Sequence, residues 1–260
     1  MTSSDILCSI LIEADPHNSL GGSCSRDVKN VATSISNLKD HKFSNTFIIS
    51  TRDTKLKEEY PKSIRPVFLK SIHFRSEIQA IVKLCQRKHR SCKFFVYISG
   101  HGYQTRDNSG DEMSGMDDYI VMNDGIVLDD YIYDDMVQTL RGTDTLHALV
   151  DTCHSGSMFD LDYRLDYPRN TWKKYTKRPP IPRSAYSISA CKDSQLAACD
   201  IGVRSGYGGA LTVHFLDHNL LAVFLTSDFK TVLDVLTPIL CKLGQSPECC
   251  SSDINWSTAQ

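Results

Sequence analysis

The sequence predicts an α/β fold with three layers, in which helices cover both faces of a mostly parallel central sheet. Two observations predict it. Short, nearly continuous apolar runs recur at residues 6–12, 46–50, 94–98, 146–150 and 185–189, the pattern of strands buried on both faces. Apolar residues between these runs fall at helical spacing. Strands alternating with helices build parallel sheets, because each crossover lays its helix on a face of the sheet.

Taken in order, the run at 6–12 reads as the first strand. Val28, Val31, Ile35 and Leu38, spaced 3-4-3, form one face of the first helix. After the strand at 46–50, Ile78, Ile81, Val82 and Cys85 mark a second helix leading to the strand at 94–98. Ile132, Met136, Val137 and Leu140 mark a third, a single helical crossover to the strand at 146–150. Residues 211–221 and 229–243 read as two late helices, the second kinked at Pro238. Residues 163–184, with Pro168, Pro179, Pro180 and Pro182, read as a linker. The expected organisation is a large segment over 1–163, a basic linker over 164–184 and a small segment over 185–260, packed as one domain.

Composition narrows the function classes. The 260 residues carry 29 Lys+Arg against 31 Asp+Glu, a net charge of −2, and 41% are hydrophobic. That balance excludes a disordered chain and gives no reason to expect nucleic acid as partner. No apolar run approaches the roughly 18 residues of a membrane span. The N-terminus carries Asp5 where a secretory signal carries basic charge, so a cytoplasmic protein is expected. Ten cysteines without a C-x-x-C pair are then expected to be thiols rather than disulfides or zinc ligands.

The small net charge conceals segregation. Residues 107–135 hold 10 of the 31 acids and no Lys or Arg, whereas residues 164–183 hold seven of the 29 bases against Asp166 alone. A charge run is ordinarily a solvated surface. Both runs nevertheless invite a local explanation.

Chemistry concentrates at two strand ends. The strand at 94–98 runs into Ser99-Gly100-His101-Gly102, and the strand at 146–150 into Asp151-Thr152-Cys153-His154-Ser155-Gly156. Ligands bind beyond the carboxyl ends of parallel strands, so His101 and Cys153 can meet there as a nucleophilic pair. His154 is a rival base, but a side chain next in sequence usually points away from Cys153. A Cys/His metal site is the other rival.

These motifs, together with Gly110-Asp111-Glu112, Leu128-Asp129-Asp130, Asp160-Leu161-Asp162-Tyr163, the 189–195 segment, Gly208-Gly209-Ala210-Leu211-Thr212 and Gln245-Ser246-Pro247, resemble the metacaspases, a family of caspase-like cysteine peptidases. The resemblance implies a caspase-like α/β/α fold and a catalytic core without an N-terminal prodomain. It implies Cys153 as nucleophile, His101 as proton-transfer partner, and the amides of Gly102 and Cys153 as oxyanion hole. Cys24, Asp27, Ser99 and Asp151 match residues lining the S1 pocket, where two carboxylates would favour Arg or Lys at P1 in a protein or peptide substrate. Asp117, Asp129, Asp130 and Asp160 match carboxylates that bind an activating Ca²⁺. Lys173, Lys174, Lys177 and Arg178 offer self-cleavage sites in a segment expected to be exposed. A monomer is implied. The alternatives are a non-proteolytic caspase-like scaffold, and a paracaspase- or legumain-like peptidase.

Overall fold

The structure is a computed structural model that describes residues 6–38, 43–51, 60, 67–70, 73–199, 201–203 and 206–254. In chain order the elements are β1 (Ile6–Ala14), α1 (Ser23–Asn37), β2 (Phe43–Ser50), β3 (Val67–Lys70), α2 (Phe74–Lys88), β4 (Cys92–Gly100), β5 (Gly102–Arg106), β6 (Met116–Met122) and β7 (Gly125–Leu128). The short α3 (Asp129–Ile132) leads through a π-turn into β8 (Thr145–Thr152), β9 (Tyr163–Asp166), β10 (Thr171–Lys174), β11 (Ser184–Ser189), β12 (Ile201–Val203) and β13 (Gly206–Gly208). The chain ends in α4 (Ala210–Asp217), α5 (Leu220–Leu225), α6 (Phe229–Leu240) and β14 (Glu248–Ser251).

One nine-stranded sheet runs in the order β10-β9-β14-β11-β8-β4-β1-β2-β3. From β11 to β3 neighbouring strands are parallel, and the β14, β9 and β10 pairings are antiparallel. The chain builds outward from β1 to β3 and then returns to place β4 on the other side of β1, so strand order reverses between β1 and β4. At such a switch point a crevice opens beyond the carboxyl ends of the strands. His101 follows β4 directly, and Asp15 follows β1.

Each sheet face carries its own apolar layer. Ile10, Ile12, Ile49, Phe94 and Val96 face α2 and the π-turn residues Tyr133, Met136 and Val137. Leu11, Ile48, Phe95, Tyr97 and Leu149 face Val28, Val31 and Ile35 of α1 and the apolar sides of α4–α6. Alternate strand residues feed opposite layers, which is why the central strands read as continuous apolar runs. Among the described residues no helix is long and apolar enough to cross a membrane.

Three expectations are corrected. The β4–β8 connection is not one helix but a three-stranded antiparallel sheet, β5-β6-β7, followed by α3 and the π-turn. The single helix expected over 211–221 is two, separated at Asn219, whose φ of 54° is left-handed. The segment over 164–184 is no loose linker. Its first half is the β9–β10 hairpin at the sheet edge, and its second half is strapped to the acidic loop by the Glu112–Thr176 bridge and by Lys177 N–H donating to Asp111 O at 2.7 Å.

Candidate active site

Parallel pairing brings three strand ends together, with Ser99 opposite Asp151, Gly100 opposite Thr152 and Ala14 opposite Gly100. His101 N–H donates to Ala14 O at 2.9 Å, which ties the residue to the β1 end. The imidazole Nε2 lies 2.6 Å from Ser19 Oγ and 3.6 Å from Asp15 Oδ1. Asp15 is fully buried and accepts from Ser19 Oγ at 3.1 Å and from the N–H groups of Ser19 and Leu20 at 2.9 and 3.2 Å. Because Ser19 Oγ–H donates to Asp15, its lone pair accepts from Nε2–H, and Nδ1 is then the basic nitrogen of His101. The Tyr103 ring stacks on the imidazole with centroids 5.9 Å apart.

Cys153 is half-buried, and burial pushes its thiol pKa up. Its Sγ accepts Ala197 N–H at 3.3 Å. The rival His154 turns away: its φ is 48°, and its Nδ1 lies 2.5 Å from Asp193 O. Gly102 meets the same turn from the opposite side. A Cβ there would stand 2.0 Å from Cys153 O, so only glycine lets the two backbones come this close.

His101, Cys153, Cys24, Asp27, Ser99 and Asp151 all line one cavity of about 90 Å³. Asp27 Oδ2 accepts from Ser99 Oγ at 3.2 Å and Gly209 N–H at 3.0 Å, while its Oδ1 is buried without a hydrogen bond among the described residues. Asp151 Oδ2 accepts from Thr212 N–H and Oγ1 at 2.9 and 2.6 Å. Burial raises both carboxyl pKa values, and the Asp151 charge raises Asp27 further. Burial also holds the Cys24 thiol far above its ordinary range, which makes Cys24 a wall rather than a second nucleophile. Gly208 and Gly209 leave room for the pair, since a Cβ on either would strike Asp27 Oδ1 or Asp151 Oδ2.

Sequence reasoning assigned no role to Asp15, Ser19, Tyr103, Ala197, Gly209 or Thr212. Gly209 and Thr212 fall within the Gly208–Thr212 motif and Asp15 directly follows an apolar strand run, but no signal pointed to Ser19, Tyr103 or Ala197. Ser19 and Ala197 sit in loops whose course no local pattern predicts.

Of the four carboxylates matched to a Ca²⁺ site, Asp130 and Asp160 cluster with Asp111, and Asp129 and Asp160 cluster with Glu112, each set with oxygens within 4.8 Å. Asp117 belongs to neither set, although the Asp130 charge helps raise its pKa after burial. Asp160 Oδ1 and Glu112 Oε1 are buried without hydrogen bonds among the described residues. Burial pushes Asp129 and Asp160 well above the usual carboxylate range. Hard oxygen donors crowded in this way suit a cation such as Ca²⁺. Of the four basic residues, Lys173 and Lys177 are exposed and Lys174 half-buried, with both Lys173 and Lys174 in β10. Arg178 is 14% exposed and points into the acidic cluster, which corrects the expectation of a wholly exposed segment.

Comparison with known proteins identifies the family. The family model "Metacaspase, peptidase C14 domain" matches residues 7–162, more than half of the chain. Metacaspase-2 of Arabidopsis thaliana is 33% identical over 144 residues, 48% of this chain and 34% of that protein. Metacaspase-1 of Saccharomyces cerevisiae is 42% identical over 90 residues, 33% of this chain and 21% of that protein. The matches thus span about a third or less of these relatives. Protein GSU0716 from Geobacter sulfurreducens shares the fold, with a TM-score of 0.54 and 19% identity over 95% of this chain and 92% of that one. The chain belongs to the metacaspase family.

Proposed function

We propose that this metacaspase-family chain is a cysteine endopeptidase that acts as a monomer on proteins or peptides and cleaves after Arg or Lys. The observation carrying the proposal is the shared cavity, in which a thiol, an imidazole and two buried carboxylates converge. Cys153 Sγ attacks the scissile carbonyl carbon as His101 Nδ1 accepts the thiol proton. A neutral resting thiol, as burial favours, needs that acceptor. The carbonyl oxygen becomes an oxyanion within reach of the Gly102 and Cys153 amides. His101 passes its proton to the leaving amine, and a thioester remains on Cys153. Water, deprotonated by His101, attacks the thioester, releases the carboxylic acid and restores the thiol.

Specificity follows from the unsatisfied Asp27 Oδ1. A guanidinium or ammonium at P1 would supply its missing donor and offset the repulsion between Asp27 and Asp151. An acidic P1 side chain would bring a third negative charge into the same pocket.

Calcium would be held by Asp111, Asp130 and Asp160, with Asp129, Glu112 and Asp117 behind them. It would supply positive charge that draws the acidic loop together. Among the basic residues, Lys177 is the accessible self-cleavage site, because Lys173 and Lys174 are paired in a hairpin and Pro179 follows Arg178.

A mechanism-based ketone carrying Arg at P1 should label Cys153 in a one-to-one adduct located by peptide mass mapping. Labelling of another residue, or faster labelling by the Asp-P1 analogue, would overturn the assignment.

A further inference from the structure

The acidic and basic runs, separate in sequence, form ion pairs with each other at Arg178. The Arg178 guanidinium forms ion pairs with Asp111 and Asp130, and with Asp160 Oδ2 at 3.1 Å. It lies over the Tyr133 ring, 4.2 Å from the centroid. These three carboxylates are the group whose oxygens converge within 4.8 Å. We propose that Arg178 is the resident cation of this site, a tethered competitor that a divalent metal ion must expel in order to bind. The inference rests on the reading of the acidic cluster as a metal site and adds what occupies it beforehand.

Two observations argue for competition rather than coexistence. The three carboxylates that would ligate a metal are those ion-paired with the guanidinium, and they cannot close around both cations. The guanidinium is also an incomplete partner, since Arg178 Nη1 and Asp160 Oδ1 are both buried without a hydrogen bond among the described residues. The tether is the strap itself. Lys174 Nζ reaches Arg178 O at 2.8 Å and Asp162 Oδ1 at 2.9 Å, and Tyr175 N–H donates to Asp162 O at 2.8 Å.

The strap also touches the nucleophile's surroundings. Tyr175 OH donates to Asp193 Oδ2, Asp193 Oδ1 accepts Ser157 N–H at 2.8 Å, and Asp193 O meets His154. The same turn continues to Ala197, the donor to Cys153 Sγ. Expelling Arg178 therefore disturbs a strap that is bonded to the loop holding the thiol.

The test uses the full chain as Cys153→Ala, which prevents self-cleavage, with calorimetric titration of CaCl₂ and tryptic digestion with and without Ca²⁺. Adding Arg178→Ala should tighten Ca²⁺ binding about tenfold or more, and Arg178→Lys should fall between. Saturating Ca²⁺ should accelerate tryptic cleavage after Lys177 in the chain that retains Arg178. Equal Ca²⁺ affinity with and without the Arg178 substitutions, or a strap equally protected when Ca²⁺ is bound, overturns the inference while leaving the metal site intact. Should Arg178→Ala fail to fold, the Arg178→Lys titration and the digestion still decide. A chain that takes up no Ca²⁺ with or without Arg178 overturns the metal reading and this inference together.

Discussion

Ser19 Oγ stands 3.1 Å from Asp15 and 2.6 Å from His101 Nε2, and so links a fully buried carboxylate to the imidazole. Ser19→Ala should lower kcat/KM about tenfold or more, with a melting temperature close to that of the wild type and KM little changed. Steady-state kinetics beside a thermal melt checks this, and partial recovery in Ser19→Thr would mark the hydroxyl as the active group. The S1 pair predicts a pH dependence. With its pKa raised by burial and by Asp151, Asp27 holds a proton at pH values where an exposed carboxyl would have lost it. A cationic ligand binds the ionised form, so affinity grows as pH rises toward that raised pKa, by up to about tenfold per pH unit. Inhibition by benzamidine should therefore strengthen from about pH 6 upward, and Asp27→Asn should both weaken it and flatten the slope. His101 and Cys153 were legible as a candidate pair because each follows a strand end with a distinctive residue pattern, whereas the pocket role of Asp27 and Asp151 came from the family resemblance. Ser19 was not legible, because its role arises from a loop returning over the switch point.

The elements best read from sequence are those with a single strong period. α1 and α2 carry clear apolar stripes, and β1, β4 and β8 carry runs buried on both faces. The β5–β7 sheet escaped because Asp117 and Asp118 are buried within β6, which hides its apolar face. β14 escaped because Glu-Cys-Cys-Ser has no conventional strand signature, although all four residues are buried. The basic segment was read as a linker because its prolines and lysines mimic one. Its order comes from long-range contacts, including Trp172 against the core layer beneath α6 and Tyr175 on Asp193. Tyr175→Phe should remove one charge-assisted hydrogen bond and cost about 1.5–3 kcal/mol in urea denaturation. It should also speed tryptic nicking at Lys177, because the strap loses its anchor on the Asp193 turn.

Across the whole molecule, the near-zero net charge conceals the two opposed runs, which the fold brings into contact through Arg178 and Lys177. Stability should decline in acid partly through a residue far from the site. His147 is enclosed by Tyr186, Phe224 and Phe229, and burial pushes its pKa down to about 3. The unfolded chain takes up a proton there near the ordinary value of about 6.5 while the folded chain does not, so stability is lost as pH falls from about 6.5 toward 3. His147→Phe should flatten that part of the stability–pH curve in denaturant titrations. The central claim is more direct. A fluorogenic peptide with Arg at P1, compared with its Asp-P1 counterpart, with and without Ca²⁺, tests it on wild type and Cys153→Ala together. The expected result is hydrolysis of the Arg-P1 peptide by the wild type, stimulated by Ca²⁺, and none by Cys153→Ala. Faster turnover of the Asp-P1 peptide, or equal activity in Cys153→Ala, would contradict it.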